Sequence, residues 1–330
     1  MIGSWIDTFI VLITDVGTWV ALIEFATLLY LASLGEVIAE KAGVLNLGVE
    51  GMMAMGAMTA YWAGVETGSV VAAAIAAAIV VTLFASIHGV ASVVLGADQV
   101  VSGLALTILG LGLAAFLGKD LVLEPPGALL STLDLGPLAD ISGIGPTLFS
   151  MDYMSWLALL MGAVTWFVLS RTRVGLSLRA VGESAATADA AGTPVVATRL
   201  AAVAIGGAFA GLAGAYLTLK VAPGWNEAIV GGLGWIAVAL VIFGAWKPGR
   251  ALLGALLFGG LIALGPRFQT LRCNTERTTD CIEQEINPII VSMLPYILTI
   301  AVLVLISIRS RNRPSLAPAA IGLPYRREER

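Results

Sequence analysis

Polar residues interrupt the chain at long intervals, and the stretches between them are apolar for longer than a soluble helix needs. Runs of this length read as membrane-spanning helices, because crossing the hydrocarbon core takes about 20 residues. They fall near 17–38, 46–65, 69–96, 100–118, 152–170, 197–219, 231–247, 250–266 and 289–308. The pattern predicts an all-α polytopic bundle of about eight to ten spans. The run 46–65 contains Asn46, Glu50 and several glycines, so a broken or re-entrant helix is expected near 43–65. Lys247, Pro248, Gly249 and Arg250 mark a tight turn between two spans.

The positions of Lys and Arg orient these spans. Arg171, Arg173, Arg179 and Arg199 cluster after the fifth run, Lys247 and Arg250 sit in the turn, and six arginines follow residue 308. The positive-inside rule assigns all three segments to the cytoplasm, with an even number of spans between each. The expected organisation follows. Residues 1–16 form an N-terminal interfacial segment without the marks of a cleaved leader, or else a further short span. Residues 17–308 form the transmembrane domain, with a cytoplasmic loop at 171–199 and external loops at 119–151 and 267–288. Residues 309–330 are a basic cytoplasmic tail.

Composition supports lipid as the solvent. Apolar residues make up 58% of the chain and charged residues 12%, against about 25% charged in ordinary soluble domains. The formal net charge is −4 without a basic stripe, so no nucleic-acid footprint is present. Cys273 and Cys281 are the two cysteines. The topology puts both outside, where disulfides persist, and predicts a bridge between them, with two free thiols as the alternative.

Enzymatic constellations are missing. His88 is the one histidine and reads as a packed or interface residue, so no catalytic residue and no metal site is assigned. The stretch Gly118-Lys119-Asp120 lacks the rest of a phosphate-binding loop.

Intramembrane polar residues are costly and usually face a cavity or another helix. Asn46 and Glu50, four apart, would share a helical face. They line or gate a pore, or lock helix packing. Glu24 is a second intramembrane acid, placed near an interface. Gln99 and Ser102 begin a span as caps or pore residues. In WNEAIVGG (225–232), Asn226 is a candidate for the solute path, while Trp225 and Glu227 read as belt and capping residues. Gly207 and Gly211 are a small-xxx-small packing pair. In the loop 171–199, Ser184 is a suitable N-cap, Ala185–Ala191 form a short helix, Gly192 takes the left-handed end, and Pro194 blocks continuation. A helix so short is marginal alone and must dock, either on the chain's own helix ends or on a partner.

Three segments together resemble the permeases of the branched-chain amino acid, ribose and nucleoside group of ATP-binding-cassette importers, closest to the nucleoside and simple-sugar branch. EKAGVLNLGVEGMMAMGA (40–57) is similar to that branch's signature, with Lys41 in place of the common Arg. RAVGESAATADAAG (179–192) resembles the cytoplasmic coupling loop. GLGWIAVALVIFGAWKPGRALLGALLFG (232–259) resembles the C-terminal half. The resemblance covers residues 17–310 and implies a transport subunit of the cytoplasmic membrane, with its C-terminus in the cytoplasm. Its implied partners are a second homologous permease, an ATPase subunit and an extracytoplasmic solute-binding protein. No cofactor is implied on this chain, since ATP and Mg belong to the ATPase. Gly182, Glu183, Ser184, Asp189, Ala190 and Gly192 are the implied ATPase contact. Asn46, Glu50, Gln99, Ser102 and Asn226 are candidates for the path of a nucleoside-like small-molecule solute. Ribose-like sugars and branched-chain amino acids are the alternatives within the group. Outside it, an ion-coupled carrier would use Glu24 or Glu50.

Overall fold

A computed structural model describes residues 14–133, 136, 145–149, 151–271, 288–310 and 316–325. Most of the N-terminal interfacial segment, and both Cys273 and Cys281 with their expected bridge, lie outside these residues.

The described residues are helical, with one isolated β-bridge between Thr132 and Asp152. The helices are α1 (Val16–Lys41), α2 (Val49–Thr67), α3 (Val70–Gly89), α4 (Gln99–Gly118), α5 (Tyr153–Arg171), α6 (Arg173–Glu183), α7 (Ala185–Ala190), α8 (Val195–Tyr216), α9 (Leu233–Phe243), α10 (Pro248–Leu271) and α11 (Pro288–Ser310). Helices α3 and α8 each run on into a wider π-helical turn, Val90–Val94 and Leu217–Val221. Among the described residues, six helices are long and apolar enough to cross a membrane.

Local chemistry fixes most starts. The side chains of Asp15, Ser69, Asp98, Asp152, Thr172 and Ser184 each accept a backbone N–H three residues on, and so satisfy one of the first-turn donors of α1, α3, α4, α5, α6 and α7. Helix α9 differs. It starts at Gly232, whose φ of 92° suits glycine, and no side chain of its own segment caps it.

Burial separates an inner from an outer layer. Within the most apolar window of each helix, 72% of α1 is buried but only 28% of α4. Helices α1, α2 and α8 form the centre, and their inward residues pack with those of α9 and α10 in one apolar cluster. Helix α3 leaves the stripe Val71, Ile75, Ile79 and Leu83 exposed, at the four-residue spacing of one helical face. In a bundle of this composition that stripe faces lipid.

The central helices approach closely because glycine lies at the crossings. A Cβ on Gly110 would stand 2.5 Å from the Gly51 carbonyl oxygen, so α2 and α4 touch backbone to backbone. Gly207 and Gly211 bring α8 against α3 in the same way, as the small-residue pair predicts.

Two expected elements come out differently. Residues 42–48 are not helical, so Asn46 precedes α2 while Glu50 lies in its first turn, and the two do not share a helical face. The run 231–247 contains an 11-residue helix, α9, about 16 Å long at 1.5 Å per residue. It is a half-span. The non-helical segment 222–232 brings the chain back into the bundle before α9 begins. The break expected near 43–65 therefore has a counterpart at 222–232.

Candidate functional site

The half-helix α9 begins against Glu50. The Glu50 carboxylate accepts the backbone N–H of Gly232 on Oε1 (2.6 Å) and those of Gly234 (2.7 Å) and Trp235 (3.3 Å) on Oε2. Glu50 is 5% exposed. These N–H groups have no acceptor within α9, and the positive end of the helix dipole points at the same carboxylate. Glu50 thus caps α9 from another helix. The fit requires glycine at 234, where a Cβ would stand 2.6 Å from the Glu50 Cα.

Loop 42–48 is pinned from three sides. Asn46, fully buried, donates from Nδ2 to Glu36 Oε1 (2.9 Å), and its Oδ1 accepts the Gly48 N–H (3.0 Å). Gln99 Oε1 accepts the Leu45 N–H (2.6 Å). His88 Nε2 lies 3.1 Å from the Leu45 carbonyl, and Ser102 Oγ lies 2.8 Å from His88 Nδ1. Thr107 donates to the Leu47 carbonyl (2.8 Å). The structure therefore brings Asn46, Gln99 and Ser102 together around one loop, with Glu50 just beyond it on the α9 side. Asn226 stands apart, exposed in segment 222–232, where its side chain accepts the Ala228 N–H. Trp225 is buried against Gly118 rather than set in an aromatic belt. Glu24 pairs with Lys220 at 3.4 Å.

Glu36 and Glu40 are two acids the sequence reading passed over. They stand four apart on α1, each 1% exposed. Glu40 accepts the Trp246 indole N–H, which fastens the turn that ends α9. Ala245 and Trp246 in that turn have positive φ, 50° and 55°, an arrangement that persists only when surrounding contacts enforce it. Helix α9 is therefore held by Glu50 at its start and, through Trp246, by Glu40 beyond its end. The signal in the sequence was the spacing of Glu36, Glu40 and Glu50, but their partners are remote.

At one end of the bundle, α6, α7, the start of α8, the turn 244–247 and the segment 316–325 gather around the end of α1. These segments are among those the positive-inside rule assigned to the cytoplasm. Helix α7 has Ser184 as its cap, Thr187 N–H donating to Ser184 Oγ at 3.3 Å. Gly192 ends the segment at φ 83°. Ala185 and Ala188 are buried, whereas Glu183, Ser184, Ala186, Thr187, Ala190 and Gly192 are exposed, so α7 presents one side outward. Gly182 is buried against the Lys41 carbonyl, and Asp189 is half-buried. Among the described residues, no three His, Cys, Asp or Glu side chains come together to hold a metal ion.

Residues 19–303 match a family model described as the branched-chain amino acid transport system permease component. The chain is 41% identical to the putative glucose ABC transporter permease protein TsgC13 of Haloferax volcanii, with 93% of this chain and 97% of that protein aligned. It is 34% identical to the guanosine ABC transporter permease protein NupQ of Bacillus subtilis (92% and 95% covered). It is 31% identical to the nucleoside ABC transporter permease protein NupC of Lactococcus lactis (91% and 94% covered). No solved structure matches. With a match across nearly its whole length and a multi-pass bundle to carry it, the chain belongs to the branched-chain amino acid transport system permease family.

Proposed function

We propose that this chain is the solute-conducting permease of an ATP-driven importer for a nucleoside-like solute. The match to permeases of transport systems over almost the whole chain carries this reading. The names of the guanosine and nucleoside relatives support the solute class. Glucose, named for the 41% identical relative, is the second reading.

In this proposal, residues 17–308 form the translocation domain, the end of the bundle bearing α6 and α7 faces the cytoplasm, and the protein resides in the cytoplasmic membrane. A second homologous permease completes the pathway. A solute-binding protein delivers from outside, and ATP and Mg act on a separate ATPase. The ATPase docks on the outward side of α7, around Glu183, Ser184, Ala190 and Gly192. Small side chains there leave the backbone open to a close fit. The gate is the junction of Glu50 with the start of α9, with Asn46, Gln99 and Ser102 holding the adjoining loop. Asn226 lies within the exposed part of segment 222–232 that leads into α9. Half-helix ends inside a bundle are where transporters place solute and gating groups.

Uptake of labelled guanosine and glucose in the native host, with and without this chain and before and after ATP depletion, tests the reading. Loss of guanosine uptake on deletion, with dependence on ATP, is the expected result. Loss of glucose uptake alone replaces the solute. Uptake that survives ATP depletion and follows the proton gradient refutes the importer and turns attention to Glu24 and Glu50 as carrier sites.

A further inference from the structure

Segment 316–325 has no regular structure, yet it is tied to the bundle at several points. The Ala320 N–H donates to the Gly182 carbonyl (2.8 Å), near the end of α6. The Ala319 N–H reaches Glu183 Oε2 at 3.4 Å. The Tyr325 hydroxyl donates to Asp189 Oδ2 (2.9 Å) in α7, and Tyr325 packs against the small apolar cluster of Val181, Ala185, Ala188 and Val195.

Arg199, in the first turns of α8, meets the segment from inside. It carries a full charge, is 1% exposed and has no acidic partner in an ion pair among the described residues. Its guanidinium donates from Nε to the Ala42 carbonyl (3.2 Å) and from Nη1 to the Leu323 carbonyl (3.0 Å). A buried cation is tolerated only when hydrogen-bonded, and the rigid fork of arginine suits two acceptors held at fixed positions. One end of this fork is the segment. The other is the start of loop 42–48. Gly43 adds a direct contact, since a Cβ there would stand 3.2 Å from the Ala320 carbonyl oxygen.

We propose that segment 316–325 is a transmission strap. Through Tyr325, Gly182 and Arg199 it ties α7 to loop 42–48, so that displacement of α7 by the nucleotide-hydrolysing partner is delivered to Asn46 and Glu50. The proposal rests on the reading of α7 as the ATPase contact. Helix α7 has six residues and two buried methyl side chains, Ala185 and Ala188. These two pack on Val181 and Val195, so α7 is seated on the ends of α6 and α8 without the strap, but that seat gives it no direct tie to loop 42–48. With the strap it is fastened to the same loop that leads into α2.

The test uses the whole importer, reconstituted with its ATPase and partner permease, and reads ATPase co-purification, ATP hydrolysis and uptake separately. One variant ends the chain after Ser315, and a second is Tyr325→Phe. Truncation should leave the ATPase bound and hydrolysis within about twofold of wild type while uptake per ATP falls about tenfold, within the range of ordinary coupling between sites. Tyr325→Phe should lower the same ratio by roughly threefold. Unchanged uptake per ATP in both variants overturns the strap. So does a loss of uptake that merely follows loss of ATPase binding. Should the truncated chain not accumulate, Tyr325→Phe decides alone, because it removes one hydroxyl from a residue at the edge of the fold. Failure of the wild-type chain to bind any ATPase refutes the importer reading itself, and the strap falls with it.

Discussion

Replacing Glu50 separates its role as a cap from its role as a charge. Its carboxylate holds three N–H groups on two oxygens. A glutamine keeps one acceptor oxygen. Placed over Gly234 and Trp235, that oxygen preserves two bonds and turns an NH₂ group toward the Gly232 N–H, donor against donor. The loss is one charge-assisted hydrogen bond plus one stranded donor, about 2–4 kcal/mol. Glu50→Ala strands all three donors in a site that is 5% exposed. Each stranded donor costs about 1–3 kcal/mol, and part is recovered as α9 shifts, so the total is on the order of 4–6 kcal/mol. Thermal unfolding of the purified chain in lipid nanodiscs measures both. The expected order is wild type above Gln above Ala, with Gln lower by roughly 4–8 °C. Melting of both variants within about 1 °C of wild type refutes the cap, because no buried helix start loses its acceptor at so little cost.

Three further outcomes follow from the same geometry. Ala190→Glu puts a charge on the exposed side of α7 and should abolish co-purification with the ATPase without lowering the melting temperature. Retention of the ATPase with normal uptake would remove α7 from the contact. Gly234→Ala forces a methyl to 2.6 Å from the Glu50 Cα; overpacking of this kind costs about 1–3 kcal/mol, and it should lower thermal stability and uptake together. A thiol titration of the unreduced, denatured protein should find no free cysteine, in keeping with the sequence-based expectation of a Cys273–Cys281 bridge, and two free groups would exclude it.

The parts of the fold legible in the sequence are those with local causes. Ser69, Asp98 and Asp152 cap helices that begin right after them, and the apolar runs 69–96, 100–118, 152–170 and 197–219 match α3, α4, α5 and α8 closely once the π-helical turns ending α3 and α8 are included. The half-helix was hidden because hydropathy counts apolar residues and takes no account of depth. Residues 231–247 are as apolar as a span, but the left-handed Gly232 and a cap on another helix start α9 inside the bundle. Asn46 was placed on a helix because an i,i+4 spacing fits one, whereas Gly43 at φ 83° ends the preceding turn and Glu36 claims the amide. Arg199 counts as a cytoplasmic loop charge in the topology rule, which says nothing of burial, and the fold encloses it. The strap was illegible for a related reason, since LAPAAIGLPY has no helical or strand period and gains its shape from Gly182, Arg199 and Asp189.

The capping of α9 by Glu50 also sets an order of assembly. Glu50 and Gly232 lie 182 residues apart, so a ribosome adding about 5–20 residues per second adds Gly232 roughly 10–40 s after it adds Glu50. During that time α2 enters the membrane with its acid unanswered, and it is not among the helices apolar enough to cross alone. Helix α9, at 11 residues, is too short to be inserted as a span by itself. Each of these weak elements is completed by the other, so a pause in translating the second half of the chain lengthens the time α2 spends without its partner.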